Sequence, residues 1–162
     1  MEKAWHPHKM TVEEVKALLR ILPRAKTFID LFGGSGIVSR YAIQSGKYKE
    51  VIYCDRRRFT DKIEGVEIFH CDYTDVLCFA DKHSIVFADP PFFAMTNFDK
   101  MSTKDHLRIV DKLSEVDSEV YMLNSKELYS LAKNKIVKLT KWTFRQQDRE
   151  LQGRVYLYKL RK

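Results

Sequence analysis

Apolar residues return at helical spacing soon after the chain begins. Val15, Leu18, Leu19 and Leu22 predict an amphipathic helix over Thr11–Leu22. Thr11 is its capping residue, Glu14 stands where it completes a capping box, and Pro23 stops the helix. The period then shortens. Thr27–Phe32 is an apolar run halted by glycines, and Ile37–Gln44 resumes a helical pattern that closes at Gly46. Runs at Val51–Asp55, Val66–His70 and Ser84–Ala88 are β-rich and largely apolar, as strands of a parallel sheet covered on both faces must be. A helix is expected from Thr103 to Leu113 with Leu107, Val110 and Leu113 inward, then a strand over Val120–Leu123 and a helical turn or two over Lys126–Lys133. Ile136–Phe144 and Arg154–Leu160 are longer strands joined across Gln146–Gly153, which predicts an antiparallel hairpin. The fold class is therefore α/β: an open, Rossmann-like, mostly parallel sheet of about seven strands with a C-terminal antiparallel hairpin.

Composition narrows this picture only a little. With 162 residues, 44% hydrophobic and 31% charged, the chain 1–162 is expected to form one domain, without repeat or linker. No apolar run approaches the roughly 18 residues that a membrane span needs, and the three cysteines, Cys54, Cys71 and Cys78, lack paired metal spacing. They are expected to be reduced, buried thiols of a soluble, cytoplasmic protein that makes no membrane contact. The histidines are scattered, so no metal site is expected. Net charge matters more: at +7 it favours a polyanionic partner, nucleic acid first, through phosphate contacts.

Two motifs carry the chemistry. The turn Gly33-Gly34-Ser35-Gly36 between the first strand and the next helix lets the backbone approach a ligand at the carboxyl edge of the sheet. It is not a full dinucleotide fingerprint, since Ser39 stands where the last glycine would be. Asp55, closing the second strand about twenty residues beyond the loop, is placed to accept hydrogen bonds from ribose hydroxyls, so an adenosine-bearing ligand fits the pair. Asp72 is placed either to receive the adenine amine or to cap the following turn.

Asp89-Pro90-Pro91-Phe92 is the second motif. Two prolines after an acidic strand end make a stiff turn whose carbonyls point out of the sheet. Rigid acceptors suit an exocyclic base amine, a poor nucleophile whose lone pair is delocalised into its ring. Accepting its two N–H bonds at Asp89 and the Pro90 carbonyl favours a pyramidal nitrogen aimed at the methyl of S-adenosylmethionine, with Phe92 as a stacking face.

These residues resemble the DNA adenine-N6 methyltransferase family that includes the Dam and DpnM enzymes. The similarity runs from His6 to Leu160 and is densest at Phe28–Val38, Val51–Asp55 and Ala88–Phe93, with further matches at His106-Leu107 and Tyr121–Ser125. The resemblance implies that Lys9, Asp30, Phe32, Gly33, Gly34 and Asp55 line an S-adenosylmethionine site and that Asp89, Pro90, Pro91 and Phe92 grip an adenine flipped out of DNA. The chain departs from the family in two respects: the entry segment Trp5–Lys9 lacks the glycine-bearing form usual before its lysine, and about a dozen residues separate Asp72 from Ser84, where the family commonly carries a target-recognition insert. Specificity is then short, relaxed, or borrowed from a separate specificity subunit or a homodimer partner. Arg56-Arg57-Arg58 and the stretch from Arg145 to Arg154 are the basic clusters placed for phosphate contact. Two other readings stand beside this one: an RNA base-amine methyltransferase of the ribosomal guanine-N2 type, which shares both motifs, and a non-catalytic nucleic-acid-binding subunit.

Overall fold

The computed structural model describes residues 10–91, 102–142 and 155–162. Lys9 and Phe92, both expected at the site, and the basic stretch 145–154 lie outside these residues.

The first helix, α1 (Val12–Ile21), starts where the sequence says it should. Its capping box is complete, with the Thr11 N–H donating to Glu14 Oε1 at 2.8 Å and the Glu14 N–H to Thr11 Oγ1 at 3.2 Å. Its carboxyl end is closed from outside the helix, because Lys47 Nζ donates to the carbonyls of Leu19 and Leu22. Then come β1 (Thr27–Leu31), α2 (Ile37–Gln44), β2 (Glu50–Cys54), β3 (Val66–Phe69), a 3-10 helix (Tyr73–Phe79), β4 (Ser84–Ala88), α3 (Thr103–Ser114), β5 (Glu119–Ser125), α4 (Lys126–Ala132), β6 (Ile136–Trp142) and β7 (Val155–Leu160).

These strands form one seven-stranded sheet in the order β3-β2-β1-β4-β5-β7-β6. The five strands from β3 to β5 are mutually parallel, while β7 runs antiparallel to both of its neighbours. The fold is thus the α/β class expected, with the terminal hairpin present. Hairpin periodicity does not say which of its strands meets the rest of the sheet. It is β7, the later strand, that pairs β5, leaving β6 at the edge.

Strand β1 is buried at every position, as a central parallel strand must be. Its side chains alternate between two cores. Phe28 joins Ile85, Phe87, Leu18 and Ala42 on the face covered by α1 and α2. Ile29 and Leu31 join Val86, Ala88, Ile109, Leu113 and Leu128 on the face covered by α3 and α4. The buried stripe of α3 is His106, Ile109, Val110 and Leu113, an i, i+3, i+4, i+7 set. Leu107 is only half-buried, contrary to the sequence expectation, because the inward position one residue earlier is taken by a histidine.

Connections differ in kind. A helix links β1 to β2, but residues 55–65 cross from β2 to β3 without one, with Ile63 buried as their anchor. The cysteines also depart from expectation: all are free, but only Cys54 is buried, while Cys71 is intermediate and Cys78, on the 3-10 helix, is exposed. Among the described residues no helix is long and apolar enough to cross a membrane.

Candidate active site

The order of the sheet reverses between β1 and β4, and a crevice opens there beyond the carboxyl ends of the strands. The glycine loop leaves β1 at this point. Phe32, its first residue, has φ of 60°, a left-handed conformation unusual for a side chain of this size. Gly34 (φ 54°) and Gly36 (φ 82°) continue the turn, which is closed by the Gly36 N–H donating to the Gly33 carbonyl at 2.9 Å. Gly33 is required for a different reason: a Cβ there would lie 2.3 Å from the Tyr53 ring. That ring props the loop from beneath, its hydroxyl donating to the Gly34 carbonyl. The loop is also stitched to β2 by the Gly33 N–H donating to the Cys54 carbonyl at 3.0 Å.

Asp55 lies at the centre of this arrangement. Its Oδ2 accepts the Gly34 N–H at 3.0 Å and its Oδ1 accepts the Arg57 N–H at 2.9 Å, with Arg57 Nε at 3.5 Å. A carboxylate oxygen accepts two hydrogen bonds, so Asp55 shapes the loop and keeps capacity for hydroxyls of a ligand.

A cavity of about 370 Å³ adjoins these residues. Phe32 and Tyr73, with ring centroids 5.3 Å apart, stand at its wall, and Cys54, Cys71, Pro91 and Ile109 add apolar surface. Asp55, Asp72, Arg56, Arg57, Asp105 and Arg108 provide its polar lining. Asp72 caps the 3-10 helix, its Oδ2 accepting the Thr74 N–H at 3.1 Å, and it also lines the cavity.

Asp30 and Asp89 flank the switch point on neighbouring strands. Asp30 is fully buried and accepts a hydrogen bond from the Ser39 hydroxyl at 2.7 Å. Burial outweighs that bond and, with the nearby Asp55 charge, raises its pKa to about 7. Asp89 is held by its N–H, which donates to the Leu31 carbonyl at 3.3 Å. Its Oδ1 is buried with no hydrogen-bond partner among the described residues. Burial first, then the Asp30 charge, pushes its pKa well above the ordinary carboxylate range. Closely spaced buried acids disfavour one another as anions, and a cation placed among them would relieve that.

The structure therefore brings Asp30, Phe32, Gly33, Gly34, Ser35, Gly36, Asp55, Asp72, Asp89, Pro90 and Pro91 to one sheet edge. Sequence reasoning missed Tyr53, Ser39, Tyr73 and Arg108. Ser39 had been noticed only as an absent glycine, although a hydroxyl one helical turn into α2 is well placed to answer a buried acid on β1.

No protein-family model and no curated protein sequence matches the chain. Solved structures do. TrmK of M. capricolum, determined with S-adenosylhomocysteine, superposes with a TM-score of 0.65 at 10% identity over 95% of this chain and 70% of that one. A candidate RNA methyltransferase from Pyrococcus horikoshii gives 0.62 at 19% identity over 93% and 80%. Precorrin-6y C5,15-methyltransferase from Geobacter metallireducens gives 0.55 at 15% identity over 93% and 87%. The fold is that of the S-adenosylmethionine-dependent methyltransferases.

Proposed function

We propose that this chain is an S-adenosylmethionine-dependent methyltransferase acting on the N6 amine of adenine in DNA. The observation that carries the reading is Asp89: a buried carboxyl with an unsatisfied oxygen, on a proline-stiffened turn, directly across the switch point from a glycine loop.

The residues present fit the cofactor. Gly34, with open space where a Cβ would stand, leaves room for close backbone approach, Asp55 retains acceptor capacity for ribose hydroxyls, and Phe32 with Tyr73 supplies aromatic surface for an adenine. Asp30 and Asp89 are buried acids whose ionisation a cationic ligand favours. When bound, S-adenosylmethionine supplies an electrophilic methyl group on a sulfonium.

The chain's own part is positioning and charge. Asp89 and the Pro90 carbonyl accept the two N–H bonds of the amine, so that its lone pair is directed away from the turn. Asp89 also stabilises the positive charge that the nitrogen acquires as its bond to carbon forms, and accepts the proton it sheds. Lys9 and Phe92 belong to this reading as cofactor-binding and base-stacking residues through the family resemblance alone. The excess of cations suits a polyanionic substrate, and the crossing between Asp72 and Ser84 is filled by one 3-10 helix, which leaves site selection to a separate specificity subunit or to a second copy of the chain.

The test is methyl transfer from labelled S-adenosylmethionine to duplex DNA, single-stranded DNA and RNA at matched salt, followed by nucleoside analysis. N6-methyladenine in DNA is expected. RNA is the second reading, favoured by the likeness to the Pyrococcus protein, and N2-methylguanosine in RNA with unlabelled DNA would replace the first with it.

A further inference from the structure

Cys54 closes β2, a strand held on both sides by β1 and β3, and Cys71 follows the end of β3 by two residues, in the bend that leads into the 3-10 helix. The two sulfurs are 3.9 Å apart, and the Cys54 thiol donates to the Cys71 carbonyl at 3.4 Å. A disulfide bond is about 2 Å long, so the sulfurs have about 2 Å left to close. Cys54 is fixed by the sheet, its carbonyl accepting the Gly33 N–H at 3.0 Å. The ladder between β2 and β3 ends with Cys54 opposite Phe69, which leaves Cys71 beyond it as the partner that moves.

Both cysteines line the cavity, and so do Asp72 and Tyr73, the two residues that follow Cys71. The Tyr73 ring is half of the aromatic wall, 5.3 Å from that of Phe32. Drawing Cys71 toward β2 therefore displaces the wall assigned to the cofactor. Cys78 is placed differently: exposed on the 3-10 helix, its thiol donates to the Asp75 carbonyl at 3.8 Å, and it is no part of the cavity lining.

We infer that Cys54 and Cys71 are a reversible dithiol–disulfide pair whose oxidation by a small-molecule disulfide deforms the S-adenosylmethionine cavity; the effect on binding rests on the cofactor reading above. Cys71, half-buried, is the point of entry. Its thiolate attacks one sulfur of the small disulfide, whose S–S bond breaks; the other half leaves with the electron pair and takes the proton that Cys71 released. The Cys54 thiol then gives up its proton and attacks the Cys71 sulfur of the mixed disulfide, expelling the second half, which takes that proton. Two protein thiols are oxidised and one small disulfide is reduced to two thiols. Burial first, then the Cys71 charge, raises the Cys54 pKa, which makes Cys54 a poor first nucleophile. The second of those influences vanishes once Cys71 is tied up in the mixed disulfide. Linkage makes the coupling mutual: whatever factor the disulfide costs in cofactor affinity, bound cofactor costs in disulfide formation.

The full chain is treated with glutathione disulfide, digested with trypsin without reduction and read by mass spectrometry. Calorimetry measures S-adenosylhomocysteine affinity before treatment, after it, and after dithiothreitol. Trypsin cuts at Arg56–Arg58 and Lys62, so Cys54 and Cys71 leave on separate peptides, and a pair joined with the loss of two hydrogens is expected. Cys71 and Cys78 share a peptide, so Cys78→Ser is treated as well and is expected to keep the cross-link. Oxidised protein should bind S-adenosylhomocysteine about tenfold more weakly, an ordinary size for coupling between sites, and reductant should restore the affinity. Saturating S-adenosylhomocysteine should disfavour the cross-link at equilibrium by the same factor. Cys71→Ser, compared only with its own untreated form, should show no change of affinity on treatment. Glutathione adducts without a Cys54–Cys71 cross-link, a cross-link lost in Cys78→Ser, or a cross-link that leaves affinity unchanged overturns the inference. Reduced wild type that binds no S-adenosylhomocysteine defeats the cofactor reading instead, and the coupling with it, while the cross-link still reports on the thiols.

Discussion

The Ser39 hydroxyl reaches back from α2 to donate to Asp30 Oδ2 at 2.7 Å, joining the helix after the glycine loop to the strand before it. The bond lowers the pKa of a carboxyl that burial raises, and burial wins. Asp30 thus holds its proton in the folded chain up to about pH 7, whereas the unfolded chain releases it near 3.8. Its contribution to stability is full below the lower value and is lost as pH rises toward the upper one. Replacing Asp30 with Asn removes this dependence. The melting temperature of Asp30→Asn minus that of wild type should grow from pH 4 to pH 7 and then level off; a flat difference would show that Asp30 titrates normally. Comparing the two proteins cancels the opposite contribution of His106, whose pKa burial lowers to about 4.

Cofactor binding should follow the same titration. A sulfonium favours ionised Asp30, so binding of S-adenosylmethionine is expected to release a proton near pH 7, and affinity should rise with pH through that value. Calorimetry in buffers of different ionisation enthalpy measures the released proton directly. In Asp30→Asn the release should fall and the pH dependence flatten.

Gly33 and Gly34 are both glycines for steric reasons, but the reasons differ in cost. An alanine at Gly33 meets the Tyr53 ring at 2.3 Å, and that ring is tethered by its hydroxyl, so overpacking of about 1–3 kcal/mol is expected. Gly34 has open space and pays only for its positive φ, about 1 kcal/mol. Urea unfolding should rank Gly33→Ala below Gly34→Ala. The reverse order would mean that the Tyr53 ring yields easily.

The three arginines after β2 should separate by role. Arg57 is tied to Asp55 and stacks 4.7 Å from the Phe59 ring centroid, whereas Arg56 is exposed. Arg56→Gln is therefore expected to weaken nucleic-acid binding and reduce the salt slope by about one, with a smaller loss of cofactor affinity than Arg57→Gln, since Arg56 also lines the cavity. Arg57→Gln should do the opposite, loosening the loop and weakening S-adenosylhomocysteine binding. Filter binding across a salt series, paired with calorimetry, distinguishes the two.

Much of this molecule was legible in its sequence because hydrophobic period is a local property. Every strand and helix expected from it formed, with boundaries that fall on described residues shifted by a residue or two, and the capping box of α1 was readable from Thr11 and Glu14 alone. What escaped depends on groups distant in the chain. Nothing near Val155–Leu160 announces that this strand will slip between β5 and β6, since that is decided by which strand offers β5 a matching register. His106 was legible only as one of several scattered histidines, because nothing local places Asn124 beside its ring. At the site, the glycine loop and the acid-proline turn were visible as motifs, but Tyr53 as a prop and Ser39 as a donor were visible only once strand and helix had been brought together.

Asp89 should display a trade between stability and turnover. Its buried Oδ1 has no described partner, so removing the carboxyl removes a desolvation penalty. Asp89→Ala is expected to melt at a higher temperature than wild type, bind S-adenosylhomocysteine, and lose at least about 10²-fold in methyl transfer. A variant that melts lower and turns over normally would assign Asp89 to structure.

The insertion of β7 between β5 and β6 bears on how the chain is made. A ribosome delivers β1 to β5 first, and these can pair as they emerge, but β6 pairs only with β7 and must wait as an orphan until residues 155–160 arrive. Until then β5, whose end carries Asn124, has an open edge facing the cell's other nascent chains. Synthesis stalled before residue 155 would leave a sticky five-stranded intermediate, a substrate for chaperones rather than for ligands.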